Sequence, residues 1–343
     1  MSNRKNKTDN YALITETFVQ ALQDVVDGKS NRLPWQRDWQ TFGTVRNGFS
    51  KRRYSGINVF LLGMRGYNDP RWATRKQIME HCGFKKDGKG RFAKWVDENG
   101  NPAPKGIFPE YDKKDRSTLP TTVTFWKFID APAKDADGNV IKDADGNTKM
   151  TTVPLLRTFS VYNFEQVNFP AGKEPKALCE EVLAVDPNEV YAEAAEMFSG
   201  YIKGQNLTVN HGGDRAYYNV TADSITIPEA ARFLSAEGYQ RTLAHELVHS
   251  TGADSRLNRN LRNWFGTEDY AREELVAELG AAFLCSDLGI NNETEMDDTH
   301  KAYLMSWIER LKDNKYEVFT AARLAREAVA LISGKEAAAK KAA

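Results

Sequence analysis

The sequence predicts an α+β protein of two domains, and three observations carry that expectation. At 343 residues the chain is long enough for about two cores. Its net charge of zero hides two opposite halves: residues 1–127 hold 24 Lys and Arg against 13 Asp and Glu, and residues 128–343 hold 23 against 34. Strand-like alternation and helical periodicity are interspersed without a repeated strand–helix unit, which argues against a doubly wound sheet. The expected parts are a basic, aromatic-rich domain at 1–130, a variable loop and linker at 131–189, a second domain at 190–335 and a polar tail at 336–343.

In the basic half, Tyr11 to Val26 has helical periodicity through Leu13, Phe18, Leu22 and Val26, and Asp27-Gly28-Lys29-Ser30 ends it. Pro34-Trp35 opens a turn-rich approach to an apolar segment from Gly56 to Met64. Thr74 caps a helix running through Gln77 to His81, and Thr121, Val123, Phe125 and Lys127 mark alternate positions of a strand. Trp35, Trp39, Trp72, Trp95 and Trp126 are five of the seven tryptophans, so rings are concentrated where the cations are. From Arg46 to Tyr54 the two types interleave. Cations neutralise phosphates and flat rings stack on unpaired bases, a combination that suits single-stranded nucleic acid better than duplex. The contact candidates are Arg46, Lys51, Arg52, Arg53, Tyr54, Asn58 and Trp72. A solvated basic face over an ordinary aromatic core is the alternative.

Between the halves, Lys134-Asp135-Ala136-Asp137-Gly138-Asn139 is echoed at Lys142-Asp143-Ala144-Asp145-Gly146-Asn147. Both copies lack the first Asp and the last Glu of a calcium loop, so a duplicated hairpin turn is expected and no calcium. Pro170, Gly172, Pro175 and Pro187 mark the linker.

In the acidic half, Leu207 to His211, Ala216 to Val220 and Ser224 to Pro228 alternate apolar and polar residues around a Gly212-Gly213-Asp214-Arg215 turn, which predicts a small antiparallel sheet. An edge strand of such a sheet is suited to binding an extended peptide. His211 lies beside that turn and reads as a polar packing residue rather than a ligand. Next comes His245-Glu246-Leu247-Val248-His249, an H-E-x-x-H run near the end of a helix that Ser250-Thr251-Gly252 stops, with Gly252 available for a left-handed cap. Residues four apart share a helix face, so His245 and His249 can close on one metal ion while Glu246 addresses its open side. A second helical pattern from Glu273 to Leu284 carries carboxylates on an apolar stripe, where they need a partner. Glu274 is assigned as third ligand and Glu278 as the acceptor that orients a ligand imidazole, with the reverse assignment also open. The expected ion is Zn2+, with Glu246 as general base in hydrolysis. Three ligands and a spare Glu leave room for water, unlike a structural zinc site. Tyr270, Tyr217 and His300 are weaker candidates for an oxyanion donor.

No apolar run approaches membrane-spanning length, and Met1 to Lys7 is polar with no signal-like segment behind it, so no membrane partner is expected. Cys82, Cys179 and Cys285 are far apart, which fits a reducing, cytoplasmic compartment.

The carboxylate order on the second helix resembles that of gluzincin peptidases. More broadly, Pro34-Trp35, Tyr54-Ser55-Gly56-Ile57-Asn58, Asp69 to Thr74 and Thr124-Phe125-Trp126-Lys127, together with Asp223 to Pro228, Thr242 to Gly252 and Glu273 to Phe283, resemble the ArdC-type antirestriction proteins of plasmids and phages and the N-terminal part of TraC-like plasmid primases. The resemblance implies an N-terminal domain binding single-stranded DNA, a C-terminal zincin-like metallopeptidase domain, and protection of incoming DNA from host restriction. A host restriction component or another protein would be the peptidase's substrate. Three readings remain: a DNA-tethered metallopeptidase, ranked first because Glu246 is present; a DNA-binding protective protein with a structural or vestigial metal site; and a primase-associated or nuclease accessory.

Overall fold

The computed structural model describes residues 9–30, 33, 45–88, 94–112, 115–135, 138–143, 145–176, 187–233, 235–261, 268–290 and 298–335. Its architecture is α+β in two domains. Helix α1 (Asn10–Val26) begins where the Asp9 carboxylate accepts from the amides of Tyr11 and Ala12. The apolar segment after Gly56 forms α2 (Ile57–Gly63), and Gly56 enters it with φ of 61°, a region that L side chains rarely adopt. Helix α3 (Arg75–His81) starts with a reciprocal cap: the Gln77 amide donates to the Thr74 hydroxyl, and the Gln77 side chain accepts from the Thr74 amide.

Around these helices, β1 (Arg46–Asn47), β2 (Arg71–Thr74), β5 (Thr121–Pro132) and β6 (Met150–Asn163) form a sheet in the order β1-β2-β6-β5, while β3 (Lys85–Lys86) and β4 (Trp95–Val96) pair separately. The strand read at Thr121 to Lys127 continues to Pro132 as half of a long antiparallel ribbon, with Thr121 opposite Val161 and Pro132 opposite Met150. Its partner β6 lies inside the stretch the sequence presents as loop and linker, and also pairs with β2. The doubled Asp-Gly turns sit at the ribbon's tip. There Asp135 accepts from the Asn139 amide and Asp143 from the Asn147 amide, and Gly138 and Gly146 take φ of 86° and 83°.

The second domain runs α4 (Pro187–Gly204), β7 (Thr208–His211), β8 (Tyr217–Asn219), β9 (Ser224–Ile227), α5 (Ala236–Ser250), α6 (Glu268–Leu288), α7 (Asp298–Asp313) and α8 (Glu317–Ile332). Its sheet corrects the antiparallel expectation. The order is β7-β9-β8, with β9 antiparallel to β8 but parallel to β7. The Gly212 to Arg215 loop carries the chain past the neighbouring position, which β9 then fills after a tight turn at Asn219 to Asp223. Asn219 accepts from the amides of Thr221 and Ala222 there, and Asp223 has φ of 46°.

The largest buried cluster unites Phe18 and Leu22 of α1 and Phe60 of α2 with Phe198, Leu247, Leu275, Trp307 and Val318 of the C-terminal helices. Phe60 stacks on Phe283 with centroids 4.8 Å apart, the Thr15 hydroxyl donates to the Lys315 carbonyl at 2.7 Å, and Lys315 pairs with Asp9 at 2.6 Å. Among the described residues no helix is long and apolar enough to cross a membrane.

Candidate metal centre and nucleic-acid surface

Helix α5 carries the H-E-x-x-H run. Its N-terminus is set by Ser235, whose hydroxyl accepts from the Gly238 amide at 3.1 Å. Leu243, Ala244, Leu247 and Val248 turn into the core, which leaves His245 and His249 on the adjoining face. The helix ends at Thr251 with φ of −62°, so the left-handed cap expected at Gly252 is not used. A Cβ there would lie 2.8 Å from Leu261 Cδ2 and 3.0 Å from the Arg259 guanidinium, so the ends of those two side chains would have to shift to admit one. Gly280 is closely approached on α6, where a Cβ would lie 2.7 Å from Val248 Cγ2. The missing side chain lets α6 approach α5 closely.

That approach brings the carboxylates of α6 to the imidazoles. Nε2 of His249 lies 3.1 Å from Nε2 of His245, and the two Glu274 oxygens lie 3.6 Å from them, one facing each ring. One ligand atom from each of His245, His249 and Glu274 falls within 4.8 Å of the others. Bonds of about 2.0–2.2 Å to one ion place neighbouring donors roughly 3–3.6 Å apart, so this spacing fits a shared divalent cation. The chemistry of the set fits as well: two nitrogen lone pairs and a carboxylate converge inside a largely buried pocket.

The surrounding groups hold this set in place. Glu278 faces His245 Nδ1 at 3.5 Å and is itself paired with Arg241 at 2.9 Å. Glu273, passed over in the sequence, accepts from His249 Nδ1 at 3.1 Å. Arg259, also missed, clamps the Glu273 carboxylate at 2.7 and 2.8 Å and donates to the Val248 carbonyl and the Thr251 hydroxyl. The only sequence signal for Glu273 was its place on the second helical pattern. Arg259 lies in a loop, where no periodicity marks it. Burial lowers the pKa of the His249 imidazole, but the Glu273 hydrogen bond and the Glu274 charge outweigh it and hold the group up at about 9. Burial raises the Glu274 carboxyl, yet the His245 hydrogen bond and the His249 charge bring it down to about 2.

A cleft of about 300 Å³ opens over the set, lined by Glu246, Tyr217, Tyr218, Tyr270 and Asn260. Tyr270 hydrogen-bonds Glu274, and Tyr217 stands half-exposed on β8, an edge strand of the sheet. The His300 side chain lies outside the described residues. His211 pairs with the Tyr239 hydroxyl at 3.0 Å, on the far strand of the sheet.

In the N-terminal domain the Asn47 side chain accepts from the amides of Phe49 and Ser50, and Lys51 takes φ of 59°, forming a turn that exposes Lys51, Arg52 and Arg53. Arg53 also reaches Asp287 on α6 at 3.8 Å. Arg46 is half-buried in β1, and burial raises the pKa of the Tyr54 hydroxyl. Two candidates are placed otherwise than expected. Asn58 donates to the Thr124 carbonyl and accepts from the Thr124 amide, so its side chain is committed to the sheet edge. Trp72 is 1% exposed among Val45, Leu62, Val123 and Val161, so its ring is core and not a stacking surface. Trp35 and Trp39 lie outside the described residues.

Comparison with known proteins accounts for both regions. Residues 8–162 match the family of the N-terminal domain of anti-restriction factor ArdC, and residues 193–324 match that of zincin-like metallopeptidases. The chain is 32% identical over 330 residues to a DNA primase TraC of Escherichia coli, covering 93% of this chain but 19% of the primase; a second TraC is covered over 25%. An uncharacterized Sinorhizobium fredii protein, y4eC, is 30% identical, with 93% of this chain and 90% of that protein aligned. The fold is similar to crystal structures of the antirestriction ArdC protein from plasmid R388. The metal-free form has TM-score 0.61 and 28% identity, over 95% of this chain and 97% of that one. The Mn(II)-bound form has TM-score 0.59 and 26% identity, over 95% and 98%. The latter corrects the expected zinc: the relative holds Mn(II). Two imidazoles and a carboxylate include no thiolate, and such a nitrogen–oxygen set accepts several first-row divalent ions, so the H-E-x-x-H run does not specify zinc. With an ArdC-type domain followed by a zincin-like metallopeptidase domain, and a relative aligned over nine-tenths of its length, the chain belongs to the ArdC-type antirestriction family and is homologous to TraC primases over about a fifth to a quarter of their length.

Proposed function

We propose that this chain is a DNA-binding antirestriction protein, its N-terminal domain holding single-stranded DNA and its C-terminal domain holding a divalent cation of the kind that Mn(II) represents. The observation that carries the metal assignment is the convergence of His245, His249 and Glu274 on one point, in a chain whose fold is similar to a Mn(II)-bound relative. The excess of cations in residues 1–127 and the exposed Lys51-Arg52-Arg53 turn support the DNA assignment. In this reading Glu278 and Glu273 keep each Nδ1 protonated, so that each Nε2 presents its lone pair to the ion. Titration of the purified chain with Mn(II), alongside a His245→Ala, His249→Ala variant, tests the metal; unchanged binding by the variant would overturn it. Fluorescence anisotropy with labelled single strands tests the DNA assignment, and equal affinity for duplex would count against it.

Of the three readings of the sequence, the comparisons lend most to the protective DNA-binding protein. Peptide hydrolysis is a second reading, favoured by one observation: Glu246 is buried yet lines the cleft beside His245 and His249. A cation bound there supplies Lewis acidity. Glu246 is placed to take up a proton, and the β8 edge beside the cleft offers backbone groups to an extended peptide. Release of peptides from denatured casein in the presence of Mn(II) checks it.

A further inference from the structure

We propose that the β5–β6 ribbon is a stacking platform for single-stranded DNA, with Phe125, Trp126 and Phe128 taking bases and Lys127 and Arg157 taking phosphates. Strand β5 changes character along its length. Val123 and Thr124 are buried, whereas Phe125 is 43% exposed, Trp126 45% and Phe128 49%, with Lys127 exposed between them. Successive residues of a strand point to opposite faces, so consecutive exposed rings mean that neither face of the ribbon is fully covered here. β5 is also an edge of its sheet, where Asn58 pairs with the outer backbone groups of Thr124. Bare rings on an edge strand invite aggregation, and proteins ordinarily blunt such edges with charge. Rings retained on the edge therefore call for a ligand.

Charge identifies its class. Segments 121–129 and 153–160 contain no Asp or Glu, while Lys127 sits between the rings and Arg157 lies directly across from Phe125 in register. A polyanion with flat faces matches that pattern. The platform is also continuous with the basic turn: Phe125 meets Phe159 edge-on with centroids 5.6 Å apart, and Phe159 packs in the same cluster as Tyr54. On the other face Trp126 lies 6.1 Å from the Tyr11 ring. Stacking on such rings is tolerant of sequence, because every base has a π-face.

The inference rests on the reading that the N-terminal domain binds single-stranded DNA. Its test uses the full chain and labelled oligothymidylate at several salt concentrations. A Phe125→Ala, Phe128→Ala variant is expected to lose about tenfold or more in affinity with an unchanged salt slope. Lys127→Ala with Arg157→Ala should flatten that slope by about 0.7 for each phosphate no longer neutralised. Phe125→Trp should retain binding. Failure of the wild type to bind would remove the underlying reading and this platform with it. Binding by the wild type and equally by the ring variant would overturn the platform alone. So would a wild-type dimer that the ring variant converts to monomer at unchanged DNA affinity, which would assign the rings to self-association. Retained Mn(II) binding and circular dichroism verify that the variants are folded.

Discussion

Glu273 accepts from His249 Nδ1 at 3.1 Å while both of its oxygens are held by Arg259, so an arginine from a loop fixes the orientation of an imidazole on another element. Removing the carboxylate frees the ring to rotate and leaves the buried Arg259 without its counter-charge. Glu273→Ala is expected to weaken Mn(II) binding by about ten- to a hundredfold, the range typical of such supporting groups. Calorimetric titration measures it, and Glu273→Gln should lose less.

The same pair sets a pH dependence. In metal-free protein the His249 imidazole, held at about 9 against its ordinary 6.5, is charged at neutral pH, and the folded state binds that proton more tightly than the unfolded chain. Its contribution to stability is full below the ordinary value and fades as pH rises through about 9. The melting temperature of metal-free protein should therefore fall from about pH 6 to about pH 9 as this contribution is lost. Mn(II) affinity should rise over that interval, because the ion competes with the proton for the imidazole.

If the cleft hydrolyses peptides, Glu246→Gln should abolish cleavage and leave Mn(II) binding and melting unchanged, since a proton acceptor is lost but no donor atom of the cluster is. Wild-type cleavage rates in that variant would assign the proton transfer elsewhere.

Gly280→Ala places a methyl group 2.7 Å from Val248 Cγ2 and wedges α6 away from α5. The expected cost is about 1–3 kcal/mol, read as a lower melting temperature, with a parallel loss of Mn(II) affinity. Val248→Ala in the same chain should recover part of both.

Trp72 and Lys51 separate core from surface. Trp72→Ala should destabilise the fold by about 3–5 kcal/mol, as for a fully buried ring. Lys51→Ala with Arg52→Ala should leave the melting temperature nearly unchanged and flatten the salt dependence of DNA binding.

Periodicity made much of this legible. The stripe through Phe18 and Leu22, the Thr74–Gln77 cap and the four-residue spacing of His245 and His249 are local patterns, and local patterns survive in one dimension, although Leu13, read into that stripe, is 42% exposed and Ile14 is buried in its place. That a carboxylate of the second helix would face the imidazoles was readable from its pattern; that it is Glu274 that lies 3.6 Å from both rings is set by the packing of α6 on α5. What stayed hidden depends on distant pairing. Strand β6 contains Pro154 and a run of mixed polarity, and only its register against β5 and β2 explains it. Arg259 acquires meaning only once the loop folds back over α5. Trp72 was misread because an aromatic in a basic segment has the same composition whether its ring is buried or bare; its neighbours Val123 and Val161 come from two other strands. The metal's identity was never in the motif, since imidazole and carboxylate donors are shared among several ions.

The seating of α1 and α2 among the C-terminal helices bears on inheritance. A crossover between the two halves would strip Phe18, Leu22 and Phe60 of their cover and leave an apolar wound on both fragments. Neither half is a free cassette. The alignment with TraC likewise takes in 93% of this chain, both halves together, within a much longer polypeptide, as expected if each half depends on the other for cover.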